Sequence, residues 1–240
     1  MSSSSPLKAT VGYQSWRHLV FLHWRIAPEV LQAQLPEEVT VETFDGSAWL
    51  GLVPFSMEQV RPWWSPAVPG ISWFLETNVR TYVRHKSGLR AVWFFSLDAN
   101  SRLAVWIART FWKLNYVDCR LTLDAEDEAR FLHYSGRRIR SHEHEYDIEV
   151  QLPNVEPLPA DEETLESFLL ERYSLLTQAP DGHFLTGDVM HDPYRIVAVD
   201  ELACYETYTS SLLGSNVGSP DHSVYSPGVD VRVSALERLK

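Results

Sequence analysis

Apolar residues in this chain fall mainly in short runs with the spacing of β-strands. Residues 14–24 (QSWRHLVFLHW) predict a first strand. The dipeptide Asp45-Gly46 lies between two strand-like runs and predicts a hairpin, because these residues readily adopt the positive φ angles of a two-residue turn. Residues 86–88 predict a second hairpin between ETNVRTYVRH and LRAVWFFSLDA, and three further strands are expected within residues 115–152.

Helices are predicted at three places. Pro28 begins a short helix, EVLQAQL, which Pro36 ends. Residues 101–113 and residues 162–176 have helical spacing. Strands that follow one another through hairpins lack the strand–helix alternation of a nucleotide-binding fold. The pattern therefore predicts an α+β fold, with a mostly antiparallel sheet that is curled or closed into a barrel and a few flanking helices.

Length, composition and charge narrow the class of protein. The 240 residues, 45% of them hydrophobic, are predicted to form a single domain over residues 1–240, with a flexible tail over about residues 1–12. The net charge of -11 argues against partners such as nucleic acid or an anionic membrane, which require a positive surface. The N-terminus lacks the apolar core of a signal peptide, and no run approaches the roughly 20 apolar residues of a membrane span. We therefore expect a cytoplasmic protein.

Polar residues alternate along the strand that begins the second hairpin. Side chains of a strand point alternately to its two faces, so one face carries Glu76, Asn78, Arg80, Tyr82 and Arg84. This face either lies in solvent, with ion pairs to neighbouring strands, or lines a polar cavity inside the barrel. The apolar sequences before and after the strand, together with the mixture of an acid, an amide, a guanidinium and a phenol, favour the cavity.

Two neighbouring segments are expected to complete this cavity. The partner strand WFFSLDA is predicted to present Phe94, Ser96 and Asp98 on one face. Residues 61–73 contain three prolines and three tryptophans and predict an ordered loop that could act as a lid. In this loop, Trp63 and Trp64 could form an apolar wall over a bound ligand.

Several separate segments resemble the YqjF-like family, which belongs to the acetoacetate decarboxylase-like superfamily. They are FLHW, FDGSAWLGLVPF, ETNVRTYV, WFFSLDA and VYSPGVDVRV, and they extend in this order from about Trp16 to Val233. The resemblance implies a cone-shaped antiparallel barrel with a central cavity, and it is compatible with a homo-oligomer. It also implies that Tyr225 lies near the mouth of the cavity, whereas residues 225–228 by themselves indicate a turn into the last strand.

The decarboxylases of this superfamily use a lysine that forms a Schiff base with a β-keto acid, and their lysine pair lies in a G-R-E-x-x-G-[FY]-P-K-K segment. The best match here is ARTFWKLNYV, in which Arg109 takes the place of the family arginine and Tyr116 and Val117 take the places of the two lysines. Lys113 could line a pocket, although its position at the end of a predicted helix also fits an interaction with the helix carbonyl groups. The other three lysines are in the chain termini or in a hairpin turn: Lys8, Lys86 and Lys240. Schiff-base chemistry is therefore not expected.

Two histidine-containing segments suggest other chemistry. His142 and His144 would share one face of a strand, as metal ligands do, but a solvated acidic face explains this run as well. His191-Asp192 could pair a base with an orienting carboxylate, but a loop histidine bonded to the backbone is the simpler interpretation. Because neither segment has converging partners in the sequence, no metal and no cofactor is assigned.

These observations predict a barrel protein whose partner is a small molecule, a carboxylate or keto acid bound in the cavity. It is either a lyase or isomerase without a Schiff base, or a non-catalytic carrier or sensor of an apolar or acidic metabolite. In a third alternative, the polar strand is only a surface of a structural or partner-binding protein. Arg80 and Arg109 are predicted to bind the carboxylate, Glu76 to act as acid or base, and Tyr116 to position the substrate. The other residues predicted to contact the ligand are Asn78, Tyr82, Asp98, Trp63, Trp64 and Tyr225.

Overall fold

The computed structural model describes residues 9–101, 115–126, 130–141 and 143–239, which contain fifteen strands and three short helices. Strands β1–β15 span, in chain order, Thr10–Ile26, Val39–Val41, Ala48–Pro62, Phe74–His85, Arg90–Ala99, Tyr116–Glu126, Phe131–Arg138, Glu145–Gln151, Leu158–Pro159, Ser174–Gln178, Phe184–Met190, Arg195–Ala198, Glu201–Glu206, His222–Ser234 and Glu237–Arg238. Helices α1–α3 span Pro28–Gln32, Leu165–Leu170 and Tyr208–Leu213. No helix in these ranges is long and apolar enough to cross a membrane.

Seven of the strands close on themselves into a ring. The hydrogen-bonded order is β4, β5, β10, β11, β14, β1 and β3, and β3 then pairs with β4. All these pairings are antiparallel except that of β5 with β10. Closure pairs strand edges that an open sheet would leave exposed. The prediction of a mostly antiparallel, curled sheet with a few helices is confirmed.

Four further strands, β6, β7, β8 and β13, continue the sheet from β5 and pack against the outside of the ring. We call them the outer sheet. Strand β1 is consequently buried on both faces: Leu19 and Phe21 pack among the apolar residues inside the ring, whereas Val20 and Leu22 pack with outer-sheet residues such as Ile148. A strand that is covered on both faces has no reason to alternate, which explains the nearly continuous apolar run in the sequence.

The turn at Asp45-Gly46 forms as predicted, but the hairpin around it does not. Both residues have positive φ angles, 49° and 75°, and Phe44 pairs with Ser47 across the turn. Strand β2 pairs with β4 and not with β3. The predicted hairpin is wrong because both edges of β3 are already paired, one with β1 and the other with β4. The hairpin of β4 with β5 and the three strands within residues 115–152 are confirmed.

Two other predicted elements differ from the structure. Helix α2 covers only Leu165–Leu170 of the predicted residues 162–176, because Leu175 and Leu176 belong to β10 and pair with β5 in the ring. Strand β1 already begins at Thr10, within the range predicted as a tail. The helix predicted over residues 101–113 lies, apart from Ser101, outside the described residues.

The predicted turn at residues 225–228 is also wrong, because these residues lie within the continuous strand β14. The strand accommodates Pro227 through a local distortion opposite β1, where His18 has a φ of 53° and Gly228 a φ of 135°. A Cβ atom on Gly228 would lie 2.1 Å from the carbonyl oxygen of Trp16, so only glycine fits here.

A buried carboxylate joins the outer sheet to the ring. Asp98, on β5, is fully buried and accepts two hydrogen bonds from Arg138 on β7, at 2.7 and 2.9 Å. It also accepts hydrogen bonds from Cys119 on β6 and from Tyr208 on α3, both at 2.9 Å. The carboxylate is therefore satisfied by three elements at once, and this group of residues is called the Asp98 cluster below.

Replacing Asp98 by alanine is expected to destabilise the protein by about 3 kcal/mol or more, because it leaves the mostly buried guanidinium of Arg138 without its anion. Urea unfolding followed by tryptophan fluorescence measures this change. As the control, Lys86→Ala removes an exposed ion pair with Glu38 and is expected to cost less than about 1 kcal/mol. Similar effects of the two substitutions would contradict a structural role for the cluster.

Candidate functional site

A cavity of about 110 Å³ lies inside the ring. A single water molecule requires roughly 10–15 Å³ by a similar measure, so the cavity has room for a small organic molecule. Its apolar wall includes residues of β1, β3, β5 and β11, among them Leu19, Val53, Phe94 and Val189. Strand β4 contributes three of its polar side chains, Glu76, Asn78 and Arg80. We call this space the inner cavity.

The polar face of β4 is buried as far as residue 82. Glu76, Asn78 and Arg80 line the inner cavity and are 4%, 7% and 8% exposed. Arg84, further along the same strand, is half exposed and pairs with Glu42 at 2.7 Å. The interpretation of this face as a solvent-exposed wall is therefore wrong for its first part and right for its end.

Glu76 and Tyr116 form a hydrogen-bonded pair in the wall of the cavity. The Tyr116 hydroxyl donates to Glu76 Oε2 at 2.9 Å, and both side chains are buried. Burial raises the pKa of Glu76 to about 8, the Tyr116 hydrogen bond opposes this rise, and the negative charge of Asp98 adds to it. Glu76 is thus poised to change its protonation state close to neutral pH.

Arg80 is buried without a carboxylate partner. Its Nη2 donates to the carbonyl oxygen of Leu169 at 3.4 Å, and its Nε has no hydrogen-bond acceptor within the described residues. No carboxylate of those residues lies within 4.0 Å of its guanidinium. The guanidinium is 5.3 Å from the ring centre of Phe21 and 5.7 Å from that of Tyr82, which stabilise a cation only in part.

Two further polar groups in the cavity have unused hydrogen-bonding capacity. Arg172, which follows α2, donates from Nη1 to Glu42 at 2.7 Å, but its buried Nη2 has no acceptor among the residues described. The Oδ1 atom of Asn78 likewise has no donor there. Buried polar groups are normally satisfied, so this concentration in one cavity indicates a place for a polar ligand.

Behind Arg80, a chain of polar side chains runs through the interior of the ring. His23 Nε2 lies 2.7 Å from the Tyr82 hydroxyl, and His23 Nδ1 lies 3.2 Å from His222 Nδ1. Burial, followed by the proximity of His222 and of the Arg80 guanidinium, lowers the pKa of His23 far below its ordinary range, so it is neutral. Gly51 opposes Arg80 on β3, and a Cβ atom there would approach His23 to 3.0 Å. Tyr82 does not itself line the cavity; the centre of its ring lies 5.7 Å from the Arg80 guanidinium and the ring helps to hold it in place.

Two residues predicted to contact the ligand lie on the other side of the sheet. A bulge opposite Arg80 inserts an extra residue into β5. Because of this bulge, Asp98 points away from the cavity and towards the outer sheet, where it forms the Asp98 cluster. Phe94 and Leu97 consequently share the cavity face, and the alternation predicted for Phe94, Ser96 and Asp98 fails. Tyr225 packs outside the ring, 3.2 Å from His18 Nδ1, because its neighbour Val224 points inward.

Next to the inner cavity lies a larger pocket beneath residues 63–73. This outer pocket has a volume of about 500 Å³ and is lined by Trp64 but not by Trp63. Both tryptophans are largely exposed, 71% for Trp64 and 64% for Trp63. The two spaces share four lining residues, Gln14, Met57, Tyr116 and Val233, and are therefore adjacent.

The structure describes only some of the other arginine, lysine and histidine residues that the sequence analysis considered. Arg109, Lys113 and His142 lie outside the described residues. The Nδ1 atom of His144 is within hydrogen-bond distance, 3.0 Å, of the Ser141 hydroxyl oxygen. His191 is within 2.7 Å of the carbonyl oxygen of Asp192, which matches the interpretation of a loop histidine bonded to the backbone.

The described residues also contain one group with metal-ligand chemistry that the sequence did not point to. His133, Asp147 and Glu149 converge on the exposed face of the outer sheet. His133 Nε2 already lies 3.1 Å from Asp147 Oδ2, so an ion pair accounts for this contact. The group is far in the fold from the inner cavity, on strands that do not line it.

Sequence reasoning missed several residues that line the inner cavity. Arg172 follows a helix that was predicted to continue through it, and Asp188 lies on a short strand with no polar alternation. Gln14 stands at the start of β1 among residues that read as an apolar strand. Only the closed order of the ring brings these three side chains to one place, and no local pattern encodes that order.

Comparison with solved structures shows the same fold in enzymes of low sequence identity. An acetoacetate decarboxylase from Legionella pneumophila superposes with a TM-score of 0.66 at 13% identity, over 99% of this chain and 93% of the other. An acetoacetate decarboxylase-like enzyme from Sphingomonas wittichii RW1 gives 0.69 at 14% identity, over 100% and 97%. The enduracididine biosynthesis enzyme MppR, in complex with pyruvate, gives 0.65 at 9% identity, over 99% and 93%.

Sequence comparison identifies closer relatives. The uncharacterized protein YqjF of Bacillus subtilis (strain 168) is 31% identical over 198 residues, which are 82% of this chain and 80% of that protein. The profile of the family DUF2071, described as "Uncharacterized conserved protein (COG2071)", matches residues 13–230. The match includes most of the residues that line the inner cavity, from Gln14 to Tyr194, whereas Val233, Ser234 and Leu236 lie beyond it. The chain belongs to the DUF2071 family and has the acetoacetate decarboxylase-like fold.

Proposed function

We propose that the inner cavity binds a small carboxylate or keto acid, and that Glu76 exchanges a proton with this ligand in a lyase or isomerase reaction. The observation that carries the proposal is the buried guanidinium of Arg80, which has no carboxylate within ion-pair distance among the described residues. A buried cation is costly unless an anion approaches it. Arg80 is therefore assigned to the carboxylate of the ligand, which a guanidinium can bind through two hydrogen bonds.

Glu76 supplies the second part of the chemistry. Its pKa of about 8 gives both protonation states near neutral pH, which is the condition for an efficient acid or base. As a base, the carboxylate removes a proton from a carbon beside the ligand's carbonyl group: the C–H bond breaks, its electron pair forms an enolate, and Glu76 becomes the neutral acid. The reverse step returns the proton. The Tyr116 hydroxyl and the Asn78 amide lie on the same wall to position the oxygen atoms.

Lysine has no role in this proposal. Of the lysines, only Lys86 lies in the described part of the chain, and it is exposed and paired with Glu38. MppR, which shares the fold, is known in complex with pyruvate, and this agrees with a keto acid as the ligand class. Arg109 keeps its predicted role as a second carboxylate contact, and Trp64 and Asn78 keep theirs as ligand contacts. Tyr82, which does not line the cavity, is assigned instead to the support of Arg80.

The substitution Arg80→Met should separate binding from stability. Without the guanidinium, affinity for pyruvate or acetoacetate is expected to fall by about 30-fold or more. Stability is expected to stay equal or rise, because an apolar side chain replaces a buried cation that has no ion-pair partner among the described residues. Isothermal titration calorimetry and urea unfolding measure the two quantities.

Arg84→Gln is the matched control, since Arg84 is on the same strand but half exposed and paired with Glu42. It should leave the affinity within about twofold of wild type. Equal losses of affinity in the two variants, or none in Arg80→Met, would show that Arg80 does not bind the carboxylate.

The pKa of Glu76 leads to a prediction about stability with a definite sign. The folded chain holds this proton up to a pKa of about 8, whereas an exposed glutamate loses it near about 4.3. Ionisation of Glu76 therefore lowers the free energy of unfolding as the pH rises through this window. In Glu76→Gln the penalty is absent, so its stability relative to wild type should increase from about pH 5 to about pH 8 and then level off.

Urea unfolding at several pH values tests this dependence, and Glu29→Gln, at an exposed position, serves as the control with no such trend. Tyr116→Phe removes a hydrogen bond that favours the carboxylate and should raise the pKa of Glu76 further. A stability difference for Glu76→Gln that does not depend on pH would mean that Glu76 has an ordinary pKa.

Proton exchange distinguishes an enzyme from a carrier. In deuterium oxide, wild type is expected to exchange the protons beside the carbonyl group of a bound 2-oxo or 3-oxo acid about 100-fold faster than Glu76→Gln, consistent with the usual contribution of a general base. Proton NMR of the acid measures the rates, and calorimetry confirms that the variant still binds. Tight binding by wild type without exchange would identify a non-catalytic carrier or sensor.

A further inference from the structure

The outer pocket differs from the inner cavity in its chemistry. Its wall is mainly apolar and includes Met57, Val60, Val68, Ile71 and Phe74. Its volume of about 500 Å³ falls in the range of roughly 300–1,000 Å³ that is typical of sites for small organic ligands. Such a pocket suits the hydrocarbon part of a ligand. The one charged residue among the described residues of its lining is Arg61, whose guanidinium lies 4.4 Å from the ring centre of Tyr13.

The polar groups of the inner cavity follow one another along β4 towards this pocket. Arg80 is four residues from Glu76, which is about 13 Å along a strand. Glu76 is hydrogen bonded to Tyr116, and Tyr116 lines both spaces. A ligand that reaches from Arg80 into the outer pocket therefore passes beside Glu76.

We infer that the ligand is an amphipathic monocarboxylic acid, with its carboxylate on Arg80 and an apolar tail that passes Tyr116 into the outer pocket beneath residues 63–73. The inference rests on the proposed function, because it uses the same carboxylate site. It explains why the inner cavity, of about 110 Å³, adjoins an apolar pocket several times larger. It also places the part of the ligand between head and tail beside the Glu76 carboxyl group.

The loop over the outer pocket has the composition that this ligand requires. Trp64, Val68 and Ile71 line the pocket and yet are 71%, 45% and 40% exposed, so they retain apolar surface that a tail can cover. Burying apolar surface favours binding roughly in proportion to area. Charge complementarity is supplied separately, by the guanidinium of Arg80 at the other end of the ligand.

Calorimetry on the full chain with saturated monocarboxylates from acetate to decanoate tests the inference. Affinity is expected to rise by about threefold for each added methylene group until the pocket is full. Trp64→Ala should flatten this rise for the longer acids and leave acetate unchanged. Trp63→Ala is the matched control: Trp63 is a neighbouring, similarly exposed tryptophan that does not line the pocket, and its removal should change nothing.

Val68→Asp provides a second variant at a half-exposed position, where the new charge should weaken octanoate binding at least tenfold and spare acetate. If all acids bind equally and Arg80→Met weakens them all, the tail site is wrong and the carboxylate site stands. If octan-1-ol binds as tightly as octanoate and Arg80→Met has no effect, the carboxylate site itself is wrong, and the inference fails with it.

Discussion

The site depends on a buried cation, the guanidinium of Arg80, that forms no ion pair with any carboxylate of the described residues. Arg80 is 8% exposed, and its Nε has no acceptor in the described part of the chain. The centres of the aromatic rings of Phe21 and Tyr82 lie 5.3 and 5.7 Å from the guanidinium. A guanidinium in this position destabilises the fold unless an anion joins it. A carboxylate that binds to Arg80 removes this destabilisation, which favours binding. The neighbouring polar groups can then be interpreted as further contacts of the same ligand.

The ring makes this arrangement possible by giving its strands two buried faces. On the inner face, Glu76 stands in a mainly apolar wall; on the outer face, Asp98 is saturated by Arg138, Cys119 and Tyr208. The two carboxyl groups therefore differ in kind. Asp98 is a structural anion, whereas Glu76 has one neutral donor, Tyr116, and a pKa raised by burial and by the charge of Asp98. The outer sheet thus contributes to the chemistry of the cavity in two ways, directly through Tyr116 at the start of β6 and indirectly through the side chains that hold Asp98.

Local patterns in the sequence were sufficient for some of these features. Alternation along β4 placed Glu76, Asn78 and Arg80 on one face, because this part of the strand is regular. The same rule failed for Asp98, since a bulge in β5 reverses the facing of every residue beyond it, and bulges depend on the partner strand. Arg172 could not be found, because its position follows from closure of the ring through β10 and not from its neighbours in sequence. Features that depend on the sequence of a single regular strand could therefore be predicted, whereas features that depend on the pairing of distant strands could not.

A crystal structure determined in the presence of pyruvate tests the central claim most directly. The account predicts one pyruvate in the inner cavity, with its carboxylate within hydrogen-bond distance of the Arg80 guanidinium and its methyl group directed towards the side of Glu76 and Tyr116. Pyruvate bound only on the surface, or a cavity in which Arg80 is paired with a carboxylate of the chain itself, would contradict it.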